Sequence, residues 1–229
     1  MRTDYERDMN RFKTITSVAL MVTALGLMIP EGVRTLTAQP GASQERSSYQ
    51  LDPSRSRFEV RVFSGGLLRA FGHDHTITVK DFSGAAEISP PALDQSSLKL
   101  KVKANSLALS DPGVNDKDRK EIEGTMRNQV LEVDRYPEII FTSTRVTARK
   151  ISENEYEAKI EGDLQLHGVT RHETIPAHLK IHENELNAQG EFSLKQTDYA
   201  IKPVSAGGGT VKVKSEVKFS FEMIGIRHP

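Results

Sequence analysis

From Tyr49 onward, apolar and polar residues alternate with a period of two, the spacing at which successive side chains of a strand face opposite ways. Arg57–Phe63 puts Phe58, Val60 and Val62 on one face and Glu59 and Arg61 on the other. Leu98, Leu100, Val102 and Ala104 oppose Lys99, Lys101 and Lys103. In Tyr156–Leu166, Tyr156, Ala158, Ile160, Gly162, Leu164 and Leu166 alternate with Glu157, Lys159, Glu161, Asp163 and Gln165. Ile175, Ala177, Leu179 and Ile181 alternate with Pro176, His178, Lys180 and His182, and Leu186, Ala188, Gly190, Phe192 and Leu194 follow. The last stretch sets Val211, Val213, Val217, Phe219 and Phe221 against Lys212, Lys214, Glu216, Lys218 and Glu222. Each strand therefore has one wet face, whereas a parallel sheet between helices is apolar on both. Several of these runs exceed the usual strand length of about five to six residues. Long amphipathic strands joined by short turns predict an all-β, antiparallel sheet that curls and closes, which also removes its edges.

Gly162 and Gly190 fall on the inward faces and mark either sharp curvature or room for something inside. One segment breaks the period. Asp116–Val130 predicts a short helix with Ile122, Met126 and Val130 four apart, Asn115 as N-cap, and Asp116 and Asp118 in the first turn. Gly124 weakens it. Such an insertion is either a lid on one end of a barrel or a connector against its outside.

Ahead of the alternating region, residues 15–29 carry no charge, with Arg11 and Lys13 before them and Pro30 and Glu31 after. This is the pattern of an export signal within residues 1–30, either cleaved or kept as a transmembrane signal anchor. The uncharged run is shorter than the roughly 20 apolar residues a membrane-spanning helix needs. Residues 31–48 predict a linker, and 49–229 the folded domain on the far side of the membrane, periplasmic or secreted. Residues 1–44 hold five basic and four acidic residues, which leaves 26 against 27 in the rest. That balance gives no electrostatic case for nucleic acid. With no Cys, disulfides, thiolate catalysis and thiolate metal sites are excluded.

Six segments in order resemble the YceI-like family, the bacterial polyisoprenoid-binding proteins with a lipocalin-like barrel. They are Tyr49–Phe58 with its Asp52 and Ser56, Asp81–Gly84, Asp118–Pro137, Ile139–Thr144, Gly162–Thr170 and Gln196–Ile201. The match spans Tyr49–Ile226. It implies an eight-stranded antiparallel β-barrel, lipocalin-like, around an apolar tunnel. The tunnel would hold the tail of a long-chain isoprenoid or quinone-like amphiphile, with the polar end near the mouth. The sequence departs from the family pattern at Arg61–Phe63, at Gln196 and at Tyr199–Ala200.

An isoprenoid tail offers nothing to hydrogen-bond, so its binding must come from apolar area removed from water, at roughly 25 cal/mol per Å². Phe58, Val60, Leu100, Ile160, Leu164, Phe192, Val213 and Phe219 are the expected lining. Periodicity alone fits equally a barrel solidly filled by these side chains. No Ser, His or carboxylate constellation supports catalysis, and no cofactor is implied. Membrane association would run through residues 15–29. His73 and His75 point the same way on a strand and suggest a metal- or haem-handling exported protein, but a stable site needs more ligands than two. A third reading is a structural or stress factor of the envelope with a filled barrel. His167–Thr170 predicts a hairpin turn in which Gly168 takes positive φ, and Asp198 anchors a bend.

Overall fold

The alternating segments pair only in antiparallel fashion. A computed structural model describes residues 46–65, 73–206 and 211–228 of the chain. Strands β1 (Ser47–Leu51) and β2 (Arg57–Gly65) lie one after the other along β12 (Val211–His228). Strands β3 (His75–Val79) and β4 (Phe82–Ile88) run back along β2 and β1. Strands β5 (Ser97–Lys103) and β6 (Leu107–Leu109) run along β4 and β3 in turn. Each of these pairs acts as one long, kinked strand. β7 (Glu138–Lys150), β8 (Glu155–Leu166), β9 (Val169–Ile181) and β10 (Glu185–Lys195) continue the meander, and β10 pairs with β12. Because β12 also pairs with β1, the ring closes as an eight-stranded antiparallel barrel. A two-residue strand, β11 (Ser205–Ala206), adds to the start of β12.

The break between β1 and β2 has a local cause. Asp52 Oδ1 accepts hydrogen bonds from the Ser54 N–H and hydroxyl. Ser56 Oγ donates to the Asp52 carbonyl at 2.7 Å and accepts from Ile224 N–H at 2.9 Å. The Asp52 and Ser56 of the opening motif thus hold the kink and tie it to β12. The break thus pairs part of its own backbone through side chains. β1 begins at Ser47, so the domain starts two residues inside the expected linker.

The helix forms where its stripe and cap place it. α1 (Asp116–Thr125) is capped by Asn115, whose side chain accepts from Asp118 N–H, and runs into a π-helical turn over Met126–Val130. Between β8 and β9, His167 and Gly168 have φ of 51° and 75°, the two-residue turn that matches strand twist. A Cβ on Gly168 would lie 2.5 Å from the Tyr136 ring, so that position takes glycine on space as well as on φ.

The expectation of a transmembrane segment is corrected here. Among the described residues no helix is long and apolar enough to cross a membrane. The only α-helix there, α1, has 10 residues and spans about 15 Å, half of a bilayer core. Residues 15–29 and most of the expected linker lie outside the described residues. The barrel's polarity is also the inverse of a membrane-spanning barrel, whose outer band is apolar. Lys99, Lys101, Glu157 and Lys159 face out, and Val102, Ala158 and Ile160 are buried.

The inward glycines answer to close packing. A Cβ on Gly190 would meet the Pro176 carbonyl oxygen at 2.3 Å and the Phe221 ring at 2.7 Å. A Cβ on Gly162 would meet the Thr142 carbonyl oxygen at 2.5 Å and the Phe141 ring at 2.6 Å. Each glycine lets a neighbouring phenylalanine fold flat over the sheet. Gly190→Ala should therefore cost about 1–3 kcal/mol through overpacking against a rigid carbonyl. Urea unfolding should show a lower midpoint with an unchanged slope.

Candidate functional site

The two inner halves of the barrel do not meet. They leave a cavity of about 220 Å³ along the axis. Of the eight residues expected to line it, Phe58, Val60, Leu100, Ile160, Leu164, Phe192 and Phe219 are on its wall. Val213 is not among the lining residues. It pairs with Ser64 beyond the register shift that separates it from Val217, at the rim where the ladder to β2 ends. Phe192 stacks on Phe219 with centroids 4.7 Å apart, and Phe58 lies 6.2 Å from both Phe219 and Phe82. Of this aromatic row, Phe58, Phe192 and Phe219 line the cavity.

The lining holds no charged side chain, and its polar members are Ser96, Ser97 and Gln196. Both Ser96 and Gln196 are internally engaged. Ser96 Oγ accepts from Ser89 N–H at 3.3 Å, and Gln196 Nε2 donates to the Lys214 carbonyl at 3.1 Å. The wall therefore presents hydrocarbon. One end is closed by Leu93 and Ser96 from the connection between β4 and β5. The other is closed by Met126, Val130 and Leu131 from the insertion between β6 and β7. This settles the position of the insertion: two residues of its apolar stripe form the end wall of the cavity, and Ile122 packs against the same core.

The wall has a seam between β9 and β10. β9 and β10 pair only through Leu186–Gln189 and His178–Ile181. Past that point stands Pro176, which has no N–H to give. The turn Gln196–Tyr199 fills the wedge that opens there. Tyr199 is 0% exposed, and its hydroxyl donates to Glu173 Oε1 at 2.6 Å. Burial, then the hydrogen bond and charge of Glu173, push the phenol pKa far up. Arg171 Nε donates to the Asp198 carbonyl at 3.0 Å. His167 Nδ1 lies 3.2 Å from the Tyr199 carbonyl, which can only accept, so this nitrogen carries the proton. Its buried Nε2 has no hydrogen-bond partner, with Glu132 Oε1 at 3.5 Å. The motif His167–Thr170 thus does more than turn the chain: it helps clamp the seam. Alternation had no means of revealing this, because the seam is a missing ladder between strands that each look regular.

The histidine pair does not converge on a metal. His75 Nδ1 is engaged by Asp111 Oδ2 at 2.6 Å, and Asp111 Oδ1 accepts from Thr76 N–H. His73 is exposed. Among the described residues no group of three or more His, Cys, Asp or Glu is placed to hold a metal ion.

Comparison with known proteins follows the same outline. The family profile of the YceI-like domain matches residues 49–224. The crystal structure of BcnA from Burkholderia cenocepacia is similar with a TM-score of 0.58 at 17% identity, over 76% of this chain and 98% of that one. A polyisoprenoid binding domain from Saccharophagus degradans, implicated in plant cell wall breakdown, gives 0.57 at 16% identity, over 79% and 98%. The YceI protein of Campylobacter jejuni gives 0.51 at 16% identity, over 67% and 85%. No protein of curated function matches the sequence.

Removing the hydroxyl that clamps the seam should show in stability. Tyr199→Phe should cost about 1–3 kcal/mol, since it strips Glu173 of a short hydrogen bond in a buried setting. Chemical denaturation read by far-UV circular dichroism measures this. A loss below a few tenths of a kcal/mol would mean the clamp carries no weight.

Proposed function

The chain belongs to the YceI-like family, and on that footing we propose that it is an exported carrier that holds an amphiphilic, isoprenoid-like lipid by its apolar tail. The observation that carries this reading is the charge-free hydrocarbon wall around an internal cavity. A barrel needing only stability gains more by filling that space, because a void forfeits packing contacts. The barrel here is not filled, which disfavours a purely structural envelope factor. The Saccharophagus domain, a polyisoprenoid binding domain of the same fold, supports the choice of an isoprenoid over other greasy chains. Residues 15–29 serve as the export signal in this reading, with the barrel delivered to the periplasm or outside. In this reading the protein binds its ligand and does not transform it, in keeping with a cavity wall that carries no charged side chain.

A hydrocarbon wall binds by area. Affinity should rise with chain length, by up to about 0.8 kcal/mol per buried CH₂, until the cavity is full. The wall gives a phosphate nothing to pair with, so the head remains at the mouth in water. A volume of 220 Å³ lies under the roughly 300–1,000 Å³ of drug-sized sites. A long tail is thus accommodated only as the end walls give.

Native mass spectrometry of protein prepared without detergent tests the reading. Bound masses of prenyl alcohols or quinones are expected, either co-purified or after incubation. Repeated recovery of empty protein after exposure to both would overturn it. Ala188 lines the cavity, and Ala188→Leu places extra hydrocarbon in the space the ligand needs. Displacement of a fluorescent prenyl probe should show affinity lowered roughly tenfold, with the fold retained. An unchanged affinity would place the ligand elsewhere.

A further inference from the structure

A chain that enters this cavity must pass the elements around it, and they differ greatly in what opening them would break. β8 is laddered to β7 and to β9 along nearly all of its length. Parting two such strands removes many backbone hydrogen bonds at once. The seam between β9 and β10 lacks that ladder but is plugged by the fully buried Tyr199 and its bond to Glu173. The end wall made by α1 and its π-helical turn is different. Neither segment contains a fully buried residue.

Besides the packing of Ile122, Met126 and Val130 against the core, this end wall is fastened by a few polar contacts at one edge. Glu123 Oε1 accepts from Leu109 N–H at 3.0 Å. Arg119 donates to the carbonyls of Leu109, Asp111 and Val114. Glu123 also pairs with Arg127 at 3.0 Å. On both sides of the segment the backbone is in the left-handed region: Gly113 has φ of 84° and Glu132 of 46°. Gly113 has nothing within 4 Å of the place a Cβ would occupy. A positive φ in a residue such as Glu132 is a conformation that L side chains seldom take, so a switch of that dihedral lets the segment turn as a unit. The inner side of the same segment supplies Met126 and Val130 to the cavity.

We propose that the segment Asp116–Val130 is the gate of the barrel, turning on Gly113 and Glu132, and that Met126 and Val130 rest directly on the bound chain. This rests on the carrier reading above. The gate releases when the contacts of Arg119 and Glu123 to the rim break, and the low burial of the helix keeps that release local. The open state admits the tail end-on, and closing returns Met126 and Val130 onto it. Met126 suits that place, because its unbranched thioether side chain adapts to chains of different shape.

The test uses stopped-flow binding and release of a dansyl-tagged farnesyl chain by the full chain. The Arg119→Met/Glu123→Gln double variant loosens the rim contacts without touching the lining. Association and release should both become roughly tenfold faster, because the open state is more populated and the bound contacts are unchanged. Tyr199→Phe loosens the seam instead and should leave both rates unaltered. Glu123→Gln alone should move them in the same direction by a smaller factor, which keeps the test available if the double variant does not fold. Normal binding with wild-type rates in the rim variants would overturn the gate and leave the carrier reading standing. Faster exchange in Tyr199→Phe only would move the way in to the seam and also overturn it. A wild-type protein that never takes up the probe would remove the carrier reading, and the gate with it.

Discussion

β12 pairs with β10 on one side and with β1 and β2 on the other, and this double pairing returns the sheet to its own first strand. An open sheet with one oily face must cover that face with another layer. A closed one covers it with itself. Every strand of this barrel can then be charged outside and aliphatic inside, with the interior shielded by hydrogen-bonded backbone except where β9 and β10 part. The kink held by Asp52 and Ser56 serves the same closure. It lets a single stretch of chain leave β1 and resume as β2 along the same neighbour, while Ser56 accepts from Ile224 N–H across the join.

Closure by curvature has a packing consequence. The inward side chains of a narrow barrel crowd unless some are absent, and Gly162 and Gly190 are those absences. Phe141 and Phe221 cover them, so the wall stays apolar although two of its positions carry no side chain. The same approach that brings Gly190 against Pro176 lies just past the last pair between β9 and β10. Proline in the wall and the missing ladder are two aspects of one event. The seam is then held by Tyr199, Glu173, Arg171 and His167 in place of backbone pairs. The molecule exchanges a stretch of repetitive ladder for a few specific side-chain bonds at the end of the barrel that also carries the helix.

Much of this was legible in the order of residues, and what was not has a common reason. Alternation in Tyr156–Leu166 names the inward residues of β8 without any knowledge of its partners, because the side-chain period belongs to the single strand. The same holds for Phe58 and Val60, and for Phe192 and Phe219. The helix and its cap are equally local. Val213 shows where local reading ends: it keeps the alternation but sits past an irregularity in its pairing with β2, and only the partner strand reveals that. Leu93, Phe141 and Ile201, which also line the cavity, gave weaker signals, since a connection, an interrupted strand and a turn have no period to read. Tyr199 was visible as a motif residue, but its partner Glu173 is 26 positions away and nothing local pairs them. The transmembrane expectation failed on the described residues for the opposite reason. It rested on a short uncharged run near the start, whereas the long elements of the structure are strands that hide their apolar side from everything outside.

The absence of charge from the cavity wall has a consequence for selectivity. A buried cation facing an anionic head would have to recover a desolvation cost of several kcal/mol, and it would then reject every neutral ligand of the same length. A hydrocarbon wall makes no such distinction, because its attraction depends on area and not on the identity of the head. Discrimination is therefore moved from the cavity to its ends, where side chains meet water and where the chain must pass. At the connection between β4 and β5 the wall is tied down by backbone and by the Ser89–Ser96 bond. At the helix it is Met126 and Val130, on a segment with no buried residue, together with the buried Leu131 that follows it. In the proposed carrier, selection by size and timing at that end follows from the same property that makes the interior indifferent to the head. A wall that recognises nothing but surface must leave the choice of ligand to whatever covers its opening.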